Sequence, residues 1–363
     1  MGCNAPKRVR DRAIYSVELK LDTIIQMIKK QKTRICITGG CGFVGHHFVE
    51  ALLKETKWEI IVLDSLNYSG NQNRLTDIEC FDTKRIKYVY HNLQAPISET
   101  IHKMLGRLDY IVHLASETHV DNSLKDSIPF VMSNVLGTAN LFEYLKKKQK
   151  KVKKIISFNT DEVFGPAPKG IYYKEYDRFT PSNPYSAAKA GQAALDYAFY
   201  NSFNLPIITT FTMNIIGERQ HPEKFLPTIM RKIIKNEKVP LFGNNKNDIS
   251  YRHWIHARNV ADAVMFLLKK GKVGERYNIV GEEASIRKVA RFIYKTIKGE
   301  EMKESDIDYV GFTAVRPGHD RRYSLNGEKM KEMGWNPPMN LWSSIIRIVE
   351  WSTKKKNKDW LNL

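Results

Sequence analysis

Cysteine is scarce in this chain: four among 363 residues, at Cys3, Cys36, Cys41 and Cys80. No two form a C-x-x-C, and none has metal-ligand spacing with a histidine. That excludes a disulfide-stapled scaffold and a zinc module, and no metal is expected. Long apolar runs are missing too; none approaches the ~20 residues that span a bilayer. The first twenty residues lack the apolar stretch of a secretory signal. Met1-Gly2 opens like a myristoylation motif, but Pro6 stands where Ser or Thr is required. Internal repeats and low-complexity linkers are absent. These absences predict a cytoplasmic protein with reduced thiols and no membrane partner.

Acidic residues are few, 39 against 58 basic ones, for a net charge of +19. Such a balance suits acidic metabolites, anionic lipid or nucleic acid. The run Lys146-Lys147-Lys148-x-Lys150-Lys151 reads as a solvated helix end. No zinc finger, RNP motif or basic stripe interleaved with aromatics accompanies it, so nucleic acid is not an expected partner.

What is present is a repeating strand and helix pattern. Strands are predicted at 33–38, 59–64, 110–115, 154–158 and 206–211, with helical periodicity over 41–54 and 131–147. Strands alternating with helices predict an α/β fold, a Rossmann-type doubly wound parallel sheet. Residues 1–32 read as an extension ending in a helix, with Ile24, Ile25 and Ile28 on one face. A dinucleotide-binding unit is expected over 33–212 plus about 247–282. A smaller, interleaved substrate domain is expected over 213–246 plus about 283–363.

The first strand runs into Gly39-Gly40-Cys41-Gly42-Phe43-Val44-Gly45, which opens a helix. Gly39, Gly42 and Gly45 give a G-x-x-G-x-x-G spacing, which lets backbone approach a pyrophosphate at a helix N-terminus. Phe43 and Val44 belong to the same contact stretch. Asp64 ends the second strand, 19 residues after Gly45. A carboxylate there hydrogen-bonds ribose hydroxyls and repels a 2′-phosphate, which favours NAD over NADP.

Tyr185 and Lys189 are four apart, so a helix puts them on one face. An ammonium beside a phenol favours phenolate and makes the tyrosine a usable base. Thr160, Asp161 and Glu162 follow the strand at 154–158, at the sheet edge where ligands bind. Hydride transfer alone needs no pair of adjacent carboxylates. An acid beside a base suits loss of water from neighbouring carbons.

With these residues in view, the chain resembles the dTDP-glucose 4,6-dehydratases of the extended short-chain dehydrogenase/reductase superfamily. The matching stretches are TGGCGFVG (38–45), LDSLNYSGN (63–71), HLASETHVD (113–121), NTDEVFG (159–165), PSNPYSAAKA (181–190), HPEKFLP (221–227) and RPGHDRRY (316–323). The resemblance implies NAD as cofactor and a nucleoside-diphosphate sugar as substrate. It implies that Tyr185 takes the sugar O4 proton, that Glu162 removes the C5 proton and that Asp161 protonates the departing C6 hydroxyl. Thr160 would bond the O4 region, and Lys189 would also hold the nicotinamide ribose. Asn92, where the family usually has Asp, would face the adenine amine. Asn214, Arg252, Arg316 and His319 would contact the sugar diphosphate. A homodimer through helices at about 128–148 and 185–203 is implied as well. Other readings remain open: a 4-epimerase or decarboxylase that uses Tyr185 and Lys189 without the acid pair, or a non-catalytic polyanion binder.

Overall fold

The computed structural model describes residues 32–311 and 322–362. The predicted helix ending at Ile28 therefore lies outside the described residues, as do Arg316 and His319. Strand β1 (Arg34–Thr38) is buried beyond its first residue, as a strand covered on both faces must be. It lies between β2 (Glu59–Asp64) and β4 (Tyr110–His113) and is parallel to both. Beyond them stand β3 (Ile86–Tyr90) on one side, and β5 (Lys154–Thr160), β6 (Ile207–Thr212) and β11 (Arg276–Ile279) on the other. All pairs in this seven-stranded sheet are parallel. The strand order reverses between β1 and β4, which opens a crevice at their carboxyl ends.

Helix α1 (Phe43–Glu55) buries Phe48, Val49 and Leu52 with Ile35, Ile37 and Val62 of the sheet. Each such side chain contributes about 1.5–3 kcal/mol by leaving water. On the opposite face, α2 (Gly137–Lys148) buries Leu141, Phe142 and Leu145. The helical stretch predicted from Val131 is there, but Val131–Leu136 is wound as a π-helix. This wider turn holds the buried Asn134, whose side chain pairs with both backbone groups of Glu117, at 2.8 and 3.0 Å. Such turns recur at functional sites.

Helix α3 (Pro184–Phe203) has a full set of start signals. The Asn183 side chain accepts from Ser186 N, Ser186 Oγ accepts from Asn183 N, and Pro184 takes the first turn. It ends at Asn204 in the left-handed conformation, at φ 55°.

The remainder forms a second layer. Strands β7 (Asn214–Ile216), β10 (Tyr251–His256) and β12 (Glu282–Ser285) make one small sheet. Another contains β8 (Val239–Asn245), β9 (Asp248–Ile249) and β13 (Ile307–Val310). A core of its own gathers Leu226, Ile229 and Met230 of α4 (Phe225–Ile234) with Trp254, Val289 and Ile345. The stretch 247–282 divides between the layers. Strand β10 pairs in the small sheet, not the large one, because it follows β7 in parallel register and Trp254 packs on Phe225. The helix α5 (Ala257–Lys270) then packs on α1, and β11 joins the large sheet. Among the described residues no helix is long and apolar enough to cross a membrane.

Candidate active site

One cleft of about 590 Å³ lies at the carboxyl ends of β1, β2, β4 and β5 and reaches into the second layer. Its lining brings together Gly39, Gly42, Phe43, Val44, Gly45, Asp64 and Asn92 with Thr160, Asp161, Glu162, Tyr185, Lys189, Asn214 and Arg252. Every described residue expected at the site is therefore in one place.

The glycines answer to steric need. Gly39 has φ +72°, and a Cβ there would meet Ala115 N at 2.8 Å. A Cβ on Gly45 would sit 2.2 Å from Gly39 O, so α1 starts closer to the loop than any side chain permits. Asp64 is nearly buried and organises both flanking loops. Its Oδ2 accepts from Cys41 N at 2.9 Å and its Oδ1 from Leu66 N at 2.8 Å. Each oxygen keeps a lone pair for a further donor such as a ribose hydroxyl. Asn92 Oδ1 accepts from Gln94 N at 3.0 Å and likewise keeps one lone pair. These residues fit a dinucleotide: a cradle of bare backbone at a helix start, and a carboxylate at the end of β2. Cys41 is inert here, since burial pushes its thiol up to about 12.

The chemical end of the cleft starts where β5 stops. Thr160 Oγ1 accepts from Glu162 N at 3.4 Å and caps a 3-10 turn, Asp161–Phe164. The same hydroxyl donates to Asp161 Oδ1 at 3.0 Å. This tight turn sends the two adjacent acids into different surroundings. Asp161 is buried, and its Oδ2 has no hydrogen-bond partner among the described residues. Burial, then the charge of Glu162, pushes its carboxyl up to about 7, against the Thr160 hydrogen bond and the Arg252 charge. Glu162 is half-buried, and its Oε2 accepts from Asn183 Nδ2 at 3.0 Å. One carboxyl is thus disposed to hold a proton while its neighbour is held as an acceptor.

Tyr185 and Lys189 complete this end of the cleft. Burial, with Glu162 and Asp161 adding to it, pushes the phenol up, and only a Thr160 hydrogen bond pulls it down. Lys189 Nζ donates to Phe158 O and to Gln192 Oε1 at 2.5 and 2.7 Å.

On the substrate side, Asn214 Nδ2 donates to His253 O at 3.2 Å and ties β7 to β10. Arg252 Nη1 donates to Tyr251 O at 2.8 Å, and its guanidinium lies over the Tyr323 ring, 5.3 Å from the centroid. Pro240, Phe242 and Phe225 give this end apolar walls.

Sequence reasoning missed Asn183, which holds Glu162, and Gln192, which holds Lys189. Asn183 had a legible signal, since Asn-Pro with Ser three residues after the Asn is a helix-start pattern. Gln192 follows Lys189 by three residues, which marks the same helical face.

The family model for GDP-mannose 4,6 dehydratase matches residues 36–347. A dTDP-glucose 4,6-dehydratase of Streptomyces niveus is 32% identical, with 90% of this chain and 94% of that one covered. A trifunctional UDP-glucose 4,6-dehydratase/UDP-4-keto-6-deoxy-D-glucose 3,5-epimerase/UDP-4-keto-L-rhamnose-reductase of Arabidopsis thaliana is 32% identical over 90% of this chain and 48% of its own length. The solved structure of DesIV, a dTDP-glucose 4,6-dehydratase from Streptomyces venezuelae with NAD bound, superposes with a TM-score of 0.81. It is 31% identical, over 90% of this chain and 98% of that one. Motifs, sheet order and cleft agree with these matches, and the chain belongs to the GDP-mannose 4,6 dehydratase family.

Proposed function

We propose that the protein is an NAD-dependent nucleotide-sugar 4,6-dehydratase acting on dTDP-glucose or UDP-glucose. The observation that carries this reading is the split between two adjacent acids beside Tyr185: Asp161 buried and disposed to be protonated, Glu162 half-buried and held by Asn183. Epimerisation at C4 needs no such pair.

Bound NAD supplies a reversible hydride acceptor. The chain's residues handle the protons. Tyr185, as the phenolate that Lys189 and the positive ring of bound NAD would favour, takes the O4 proton as C4 becomes a ketone, with Thr160 bonding the O4 region. The ketone acidifies C5, and Glu162 removes that proton. Asp161 delivers its proton to the C6 hydroxyl, which leaves as water. With the hydride lost from C4 returned to C6 and a proton returned to C5, the net change is loss of one water and the product is the 4-keto-6-deoxy sugar, a precursor class for rhamnose and other 6-deoxysugars. Asn214 and Arg252 hold the substrate from the second layer, where a guanidinium fork suits a diphosphate. Arg316 and His319 are proposed to join them. In this reading the large-sheet unit holds the dinucleotide and the second layer holds the sugar nucleotide.

The test is mass spectrometry after incubation with dTDP-glucose, UDP-glucose or UDP-N-acetylglucosamine in the presence of NAD. Loss of one water from either glucose nucleotide is expected and identifies the base. No mass change with any of them, in protein that holds its cofactor, would replace this reading with the epimerase one.

A homodimer is also proposed. Ile128, Val131, Met132 and Leu136 are exposed on the segment leading into α2, and Tyr197 and Phe203 are exposed on the adjacent α3. Apolar side chains gathered on neighbouring helices suit a subunit interface. Light scattering should give twice the chain mass; a monomer would refute this.

A further inference from the structure

We propose that His113, as the neutral imidazole protonated at Nε2, is the positioning residue that sets residues 115–117 of the cleft wall against the glycine loop. It ends β4 beside Thr38 of β1, its register partner. Its ring bridges two hydroxyls. Nδ1 lies 2.7 Å from Thr38 Oγ1, and Nε2 lies 2.9 Å from Thr138 Oγ1 on α2. Thr138 Oγ1 in turn donates to Asn134 O at 2.7 Å, and Ala115 N donates to Thr38 Oγ1 at 3.2 Å. Thr38, His113, Asn134 and Thr138 are no more than 1% exposed, so these groups must satisfy one another.

Counting protons fixes the direction of every bond. A carbonyl only accepts, so the single hydroxyl proton of Thr138 lies on Asn134 O. The 2.9 Å contact to the ring then takes its proton from the imidazole, at Nε2. Nδ1 of the neutral ring is an acceptor and receives the Thr38 proton. The Thr38 oxygen is left to accept from Ala115 N. The other tautomer fails at both ends: Nδ1–H would face a hydroxyl that already accepts, and Nε2 would face one with no proton to give. A doubly protonated ring would leave the Thr38 proton buried without a partner, which is costly. Burial, followed by the Lys189 charge, draws the ring down to about 3, in agreement with a neutral state.

This relay holds the wall of the site from both sides. Thr38 precedes Gly39, and its hydroxyl pins Ala115 N. Gly39 passes so close that a Cβ on it would lie 2.8 Å from that nitrogen. At the other end, Asn134 sits in the turn Val131–Leu136, and its amide clamps both backbone groups of Glu117. A threonine bonded to the carbonyl four residues back bends a helix, and here that carbonyl belongs to Asn134. Both ends therefore fix one stretch, Ala115-Ser116-Glu117, which lines the cleft with Gly39, Thr160 and Tyr185. His113 itself acts only through its neighbours. A wall displaced by about 1 Å costs on the order of 10²-fold in rate.

The kinetic consequence rests on the dehydratase reading above; the tautomer and the wall's position do not. Nitrogen-15 NMR of histidine-labelled protein should show a neutral His113 ring with its proton on Nε2, the signal identified by its loss in His113→Gln. Thr138→Val removes the acceptor for that proton and the hydroxyl on Asn134 O. It should speed amide exchange over residues 114–118, read by mass spectrometry, by about tenfold or more. In folded, NAD-loaded protein it should lower kcat by about tenfold or more, with KM for the sugar nucleotide little changed. Thr138→Ser keeps the hydroxyl and should restore both. His113→Gln offers an oxygen to Thr38 and an N–H to Thr138, the same polarity, and should keep most of the rate. His113→Leu should match Thr138→Val, with the double variant no slower than either. A role in stability alone predicts earlier unfolding of the Leu and Val variants with kcat and the 114–118 exchange unchanged, and that result would overturn the proposal. So would a charged or Nδ1-protonated ring, which decides the matter if neither variant folds. The expected tautomer and exchange rates in a protein without dehydratase activity would leave this inference standing and remove the function above.

Discussion

Glu162→Gln should abolish water loss while leaving oxidation at C4 intact. The substitution keeps size and keeps an oxygen for the Asn183 amide, so the 3-10 turn at the end of β5 should hold. What it removes is the only atom assigned to take the C5 proton. General-base catalysis contributes about 10²–10⁴-fold, and the dehydration rate should fall by that order. Tyr185 and Lys189 are untouched, so substrate should still reduce the bound nicotinamide, seen as a rise in its near-ultraviolet absorbance. Full dehydration by this variant would sink the assignment of Glu162 as the base. Loss of the absorbance change as well would mean that the carboxylate serves binding or oxidation instead.

Asp161→Asn should give a protein that is more stable and less active. The folded carboxyl is raised from 3.8 to about 7, chiefly by burial. A raised acid binds its proton more tightly in the folded state, so ionisation opposes folding. The cost is absent below the unfolded value, grows as pH climbs between the two, and is complete above about 7. Asparagine removes it. The gain should be near zero at about pH 4 and on the order of a few kcal/mol at about pH 8. Thermal unfolding at the two pH values measures the difference. Equal gains at both would show that Asp161 is not held neutral by its site. Activity should fall about 10²-fold or more, because an amide cannot protonate the leaving hydroxyl. In the unmodified protein, dehydration should decline as pH rises through about 7, as the acid loses its proton. A stabilising change that disables chemistry is the usual mark of a strained functional group.

The parts of this account that rest on local rules were legible in the sequence. TRICIT followed by closely spaced glycines left little choice but a strand, a tight turn and a helix, and Asp64 ended the next strand at the right distance. The edge strand β3 was missed, since Ile86–Tyr90 buries only Val89, has a lysine among its residues and lacks a strong apolar run. The π-turn at Val131–Leu136 could not be read, because its apolar spacing matches an ordinary helix over so few residues. The difference between Asp161 and Glu162 was equally hidden. They are neighbours with the same chemistry, and only the Thr160-capped turn decides which one is buried. For Lys189 helical spacing gave the face it shares with Tyr185, but not Gln192 and Phe158 O, which hold its ammonium. Long-range partners of this kind leave little trace in one sequence.

The central claim is an internal redox exchange with proton loss at C5, and isotope tracing tests it most directly. Glucose nucleotide deuterated at C4 should be converted in ordinary water, and unlabelled substrate in deuterium oxide, with the products examined by NMR. The account predicts that the C4 label appears on the new C6 methyl group, and that solvent deuterium enters at C5 alone. A C4 label returned to C4, in a product that keeps its C6 hydroxyl, would contradict it and mark the protein as an epimerase on a dehydratase frame.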